Sequence, residues 1–162
     1  MTTTTQTWAE LIWDTNRNTR AGILVDAYLG RTLDRAELPA AVVGAWVDQD
    51  EPEGALPAGE WQYMFSQAGF TLDGVPGDSG DRARTLYRGA STDRKRRMSW
   101  TADVDVALRF ASWAEDEGRE AHVYTATVEA GRVLARIEDL RLGISEHEYV
   151  VNTSGLRITT LV

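Results

Sequence analysis

The chain changes its hydrophobic period once. Ahead of a stretch rich in Gly, Asp and Pro, "LDGVPGDSGDR" (Leu72 to Arg82), apolar residues recur at helical spacing; behind it β-branched and aromatic residues crowd short segments. Helices first and strands after confine the fold to α+β. In the front part "TWAELIWDTNR" carries Trp8, Leu11 and Ile12 on a helical face. "RAGILVDAYLG" closes on Gly30 as a C-cap, "DRAELPAAVVGAWVDQD" starts from Asp34 as an N-cap, and "GEWQYMFSQAG" makes a fourth short helix.

Six segments behind the loop read as strands: "RTLYRGA", "RMSWT", "AHVYTATV", "RVLARI", "HEYVVN" and "LRITTLV". One helix interrupts them. "DVDVALRFASWAED" has Asp103 as N-cap and Asp105 in its first turn, where the helix dipole favours a carboxylate, and sets Val104, Ala107, Leu108 and Ala111 on one face. The connections are too short and too seldom helical for repeated strand–helix–strand crossovers, so the strands are expected to be mostly antiparallel. Residues 1–80 form an N-terminal helical lobe and residues 81–162 a β-rich core, in what reads as one compact domain.

At 162 residues and 43% hydrophobic content the chain can bury a core. It has no cysteine and no apolar run of membrane-spanning length, and it opens on polar "MTTTTQ", which together suit a reducing, cytoplasmic setting. A net charge of −8 speaks against broad phosphate neutralisation, the usual basis of nucleic-acid binding. The basic run Arg94 to Arg97 is the local exception, and a solvated loop accounts for it.

Three segments place chemically useful residues at strand ends. "LYRG" sets Arg88 before Gly89, which lets a backbone or a ligand come close; a lone arginine is more often plain surface. "MSWT" turns Ser99 and Thr101 to one side with Trp100 opposite, just ahead of a helix; capping explains Thr101 better than Ser99. In "EHEYVV" a period of two sends Glu146, Glu148 and Val150 to one face, with the carboxylates about 7 Å apart along the strand, and His147 and Tyr149 to the other. Like charges on one face repel, so the pair needs a reason. His122 and His147 are the only histidines; neither has a partner at metal-ligand spacing, and no metal is implied.

Taken in order, "YRG", "SWT", the helix with "ALRFA", and "EHEYVV" opening a late strand resemble the arginine-serine-glutamate class of mono-ADP-ribosyltransferases, over roughly half the chain from Leu86 to Val162. Trp100 departs from the small residue usual at that place and is expected to pack away from the cleft. The resemblance implies two small, roughly perpendicular β-sheets with NAD, as substrate, held between them. It implies that Glu148 stabilises the ribosyl cation, that Ser99 orients Glu148, and that Glu146 faces the acceptor. Arg88 would contact the phosphates or ribose of NAD, with Tyr87, Gly89 and Thr101 lining its site. A Glu rather than Gln at 146 goes with arginine as the modified side chain in that class.

The residue types suit that chemistry. Breaking the nicotinamide–ribose bond leaves positive charge for a carboxylate to offset, and a guanidinium holds a pyrophosphate through a planar fork of donors. A guanidinium acceptor is too basic to attack without a carboxylate beside it. The expected activity is therefore ADP-ribose transfer from NAD to an arginine of a target protein, with a phage or bacterial effector as the imagined setting. Other readings stay open at this stage: NAD hydrolysis, transfer to a nucleic-acid base, a non-catalytic nucleotide-binding module, or action of the paired acids on a sugar.

Overall fold

A computed structural model of the protein describes residues 4–138 and 146–162. The chain is α+β and divides into two compact units, Met1–Gly77 and Asp78–Val162, the division falling inside the Gly-, Asp- and Pro-rich stretch. Among the described residues no helix is long and apolar enough to cross a membrane.

In the first unit α1 (Trp8–Leu11), α2 (Arg20–Leu29), α3 (Leu38–Val47), α4 (Pro52–Ala55) and α5 (Ala58–Ala68) precede a hairpin of β1 (Thr71–Leu72) and β2 (Val75–Pro76). The almost wholly apolar α3 buries Leu38, Ala41, Val42, Val43, Ala45 and Trp46, as a central helix must. Trp46 meets Trp61 edge to face at 5.1 Å and Phe65 at 5.5 Å, geometries that add to the burial of the rings. The Trp61 indole N–H donates to Pro52 O at 2.7 Å, so a fully buried ring carries no orphan donor.

Several helix ends differ from the sequence expectation. Thr7 and Glu10 form a reciprocal capping box, but α1 lasts four residues. Asp14 follows at φ +54, a left-handed turn beyond the helix end, and Trp13 between them stands 83% exposed. Asp34 caps a 3-10 turn at Arg35–Glu37 rather than α3 itself. Gly30 is the C-cap of α2 as expected, though in a right-handed conformation.

The second unit holds β3 (Arg84–Ser91), β4 (Ser99–Thr101), α6 (Val104–Asp116), β5 (Ala121–Val128), β6 (Val133–Ile137), β7 (Glu148–Val151) and β8 (Thr159–Thr160). Its strands run in the order β6-β7-β4-β3-β5-β8, and each described pairing among them is antiparallel. Where two separate perpendicular sheets were expected, the hydrogen-bonded order is continuous, but the join is narrow. β3 pairs with β5 over eight residues, whereas it meets β4 only at Tyr87 opposite Thr101. Two three-stranded halves thus share one residue pair.

Asp103 caps α6 as its position predicts, its carboxylate accepting from Asp105 N at 2.9 Å. The buried face is Val106, Ala107 and Ala111; Val104 and Leu108, expected on it, are exposed. Backbone proximity explains the change. A Cβ at Gly89 of β3 would overlap the Ala107 carbonyl oxygen and come within 2.7 Å of Ala111 N. Only small helix residues over a glycine permit that crossing, so size rather than bulk hydrophobicity selects the inward face.

Candidate functional site

An open cleft enclosing about 320 Å³ lies in the second unit, at the seam between the two halves of its sheet. Tyr87, Arg88 and Gly89 line it from β3, Ser99, Trp100 and Thr101 from β4, and Glu146 and Glu148 from the start of β7; Val106 and Phe110 of α6 complete it. All seven residues singled out from sequence therefore meet in one place.

Register explains how they meet. Thr101 of β4 faces Tyr87 on one side and Glu148 on the other, while Ser99 faces Val150, so Ser99 and Glu148 are diagonal neighbours on one face. Ser99 Oγ donates to Glu148 Oε2 at 2.7 Å. Glu148 is 9% exposed, so this hydroxyl offsets part of the cost of burying a carboxylate and fixes its rotamer. Thr101 Oγ1 donates to Glu146 O at 2.9 Å and accepts from Asp103 N at 3.0 Å. One threonine thus ties the turn before β7 to the start of α6.

Glu146 does not sit where a period of two would put it. β7 begins at Glu148, and His147 takes φ +44, a left-handed conformation that a non-glycine residue adopts at a cost of about 1 kcal/mol. The two carboxylates share the cleft because a turn carries Glu146 there, not because both lie on one strand face. His147 is half exposed, and its Nδ1 lies 2.7 Å from Glu138 Oε2. Since an ionised carboxylate can only accept, Nδ1 carries the proton. Glu138 also accepts from Arg136 Nη2 at 2.8 Å. Burial pushes the Glu138 carboxyl up, but the bonds and charges of Arg136 and His147 outweigh it and hold the group below its ordinary value. Arg136 in turn lies over the buried Tyr149 ring, 5.0 Å from its centroid.

Arg88 has a structural commitment as well as a place in the cleft. Its Nε donates to Arg94 O at 2.9 Å and its Nη1 to Ser99 O at 2.7 Å. The second bond supplies, from a side chain, a link across the seam where the backbone ladder has one pair. What comes close to Gly89 is the α6 backbone, one of the two possibilities its position raised. Trp100 is buried as expected, its indole N–H donating to Arg97 O at 2.9 Å, but it also lines the cleft from which it was expected to turn away. In the basic run, Arg96 Nη1 donates to Leu156 O at 3.0 Å and so helps to hold the loop after β7.

Sequence reasoning did not single out Phe110, Glu138 or His147 as parts of this neighbourhood. Phe110 stood in plain view in "ALRFA", whereas the Glu138–His147 contact joins residues nine apart that no periodicity links. Among the described residues no group of three acidic or histidine side chains is placed to hold a metal. Comparison with protein-family models, with curated proteins and with solved structures gives no match.

Proposed function

We propose that the protein is a mono-ADP-ribosyltransferase that moves ADP-ribose from NAD to the guanidinium of an arginine on a target protein, the two halves of the sheet serving as the walls of the NAD cleft. The observation that carries this is the Ser99 hydroxyl donating to a buried Glu148 carboxylate inside a cleft that Arg88, Thr101 and Glu146 also line. A carboxylate fixed in one rotamer and shielded from water is suited to charge that develops during a reaction.

The bond between ribose C1′ and the nicotinamide nitrogen breaks, nicotinamide leaving with the electron pair. Glu148 offsets the positive charge that grows on the ribose. An arginine nitrogen then forms the new bond to C1′, and its proton passes to Glu146 and on to water, so NAD and arginine yield ADP-ribosyl-arginine, nicotinamide and one proton. Arg88 and Tyr87 would hold the dinucleotide, with Thr101 keeping the turn at Glu146 in place.

Incubating the protein with labelled NAD and a bacterial lysate, then identifying labelled proteins and sites by mass spectrometry, tests the proposal. Label on arginine with nicotinamide release is expected. Neither label nor release would overturn it, while release without label would leave NAD hydrolysis as the activity.

A further inference from the structure

We propose that Glu138 and His147 form a clasp that fixes the left-handed turn before β7 and so aims Glu146 at the acceptor, making His147 a positioning residue for transfer rather than for NAD cleavage. This deepens the transferase reading and rests on it for its functional consequence. The two carboxylates of the cleft are held by different means. Glu148 belongs to a buried strand and is bonded to Ser99, with Thr101 and Ile137 opposite it on the neighbouring strands. Glu146 precedes the strand, and its direction depends on the peptide that joins it to His147. Thr101 holds the carbonyl of that peptide. The backbone on its other side has φ +44, an uncommon conformation for any residue but glycine and one that contacts around the turn can hold in place.

A relay of contacts reaches this turn. Tyr149, buried in β7, lies under the Arg136 guanidinium; Arg136 donates to Glu138 Oε1; and Glu138 Oε2 takes the His147 Nδ1 proton. β6 and β7 supply the rigid end of this relay, because Arg136 and Tyr149 are register partners. Breaking it at His147 or Glu138 frees the turn while leaving Ser99, Glu148 and Arg88 untouched. Only the step that needs Glu146 should then suffer, since a displacement of about 1 Å at a reacting group costs on the order of 100-fold.

Nicotinamide release without acceptor, and ADP-ribose transfer to the small guanidino compound agmatine, are measured for wild type, His147→Ala, Glu138→Ala and His147→Asn. Transfer is expected to fall about 10- to 100-fold in the two alanine variants, with a raised KM for agmatine and an unchanged KM for NAD. Release should change less than about threefold. His147→Asn should restore transfer, because asparagine tolerates the left-handed region and its amide N–H can donate to Glu138 in place of Nδ1. Parallel loss of both activities along with melting temperature would reduce the clasp to a structural tie, and unaltered transfer would overturn the proposal. Should wild type release no nicotinamide, the transferase reading fails separately, and the clasp is judged by NMR of the glutamate side-chain carboxyl carbons. Glu138→Ala is expected to move the Glu146 signal and not that of Glu148; an unmoved Glu146 signal would overturn it.

Discussion

Ser99 Oγ donates a 2.7 Å hydrogen bond to Glu148 Oε2 along a diagonal of the antiparallel β4–β7 pair. The bond needs only an acceptor at position 148, so Glu148→Gln should fold with a loss within about 1 kcal/mol, since an amide oxygen still accepts. Its activity is another matter. Without the negative charge, nicotinamide release and transfer should both fall by about 100- to 1000-fold. Steady-state NAD cleavage by a variant with a wild-type melting curve checks this; normal turnover would remove Glu148 from the reaction.

Glu146→Gln separates the two carboxylates. Arginine labelling should drop at least about 100-fold while nicotinamide release persists, with water capturing the ribosyl cation. Measuring label and nicotinamide in the same reaction decides it, and equal loss of both would mean that the acids act as one unit.

Arg88→Ala should show two losses of different origin. NAD affinity, measured by calorimetry, should weaken because a positively charged donor in the cleft is gone. Urea unfolding should show a stability loss of about 1–2 kcal/mol, because the carbonyls of Arg94 and Ser99 lose a charged donor in a partly solvated site. Arg88→Lys keeps the charge but not the fork, so it should recover less than half of either loss.

Gly89→Ala puts a methyl group into the α6 backbone and should cost at least about 2–3 kcal/mol, or abolish folding. Gly59→Ala is the control: it lies in α5 with open space where a Cβ would go, and should stabilise by about 0.5–1 kcal/mol. Thermal unfolding of the two variants should give shifts of opposite sign.

Glu138 sets an acid dependence. Because its carboxyl is held below the ordinary value in the folded protein, its stabilisation is complete above the unfolded pKa and disappears as pH falls through the folded one. The stability gap between wild type and Glu138→Gln should therefore close as pH falls through the folded pKa of Glu138. A gap that persisted undiminished at the acid end would contradict the assignment.

What was legible in the sequence follows from how local its causes are. Asp103 announces α6 because a cap acts within one turn, and the strands of the second unit follow from runs of β-branched and aromatic residues. The Asp73-Gly74 pair is local too, yet the hairpin of β1 and β2 passed for a loop. Both residues have positive φ, and Leu72 pairs with Val75 across a two-residue turn, the connection that Asp-Gly favours, but the strands are too short to show alternation. The residues that line the cleft were grouped by their order along the chain, whereas the direction of Glu146 was not legible. It depends on the dihedral at His147, which a contact from another strand's end maintains. The inward face of α6 was misjudged for a similar reason, since steric room over Gly89 depends on a crossing that no window of sequence contains.

The single residue pair joining β3 to β4 gives the second unit a crease. Arg88 and Tyr87 stand on one side of it, Ser99 and Glu148 on the other, so a molecule that touches both groups acts as a staple. Occupancy should then register in the exchange of backbone amides along the fold line: those of β4 and the adjoining part of β3 should slow when the cleft is filled, and those of β5, secured along its whole length, should hardly respond.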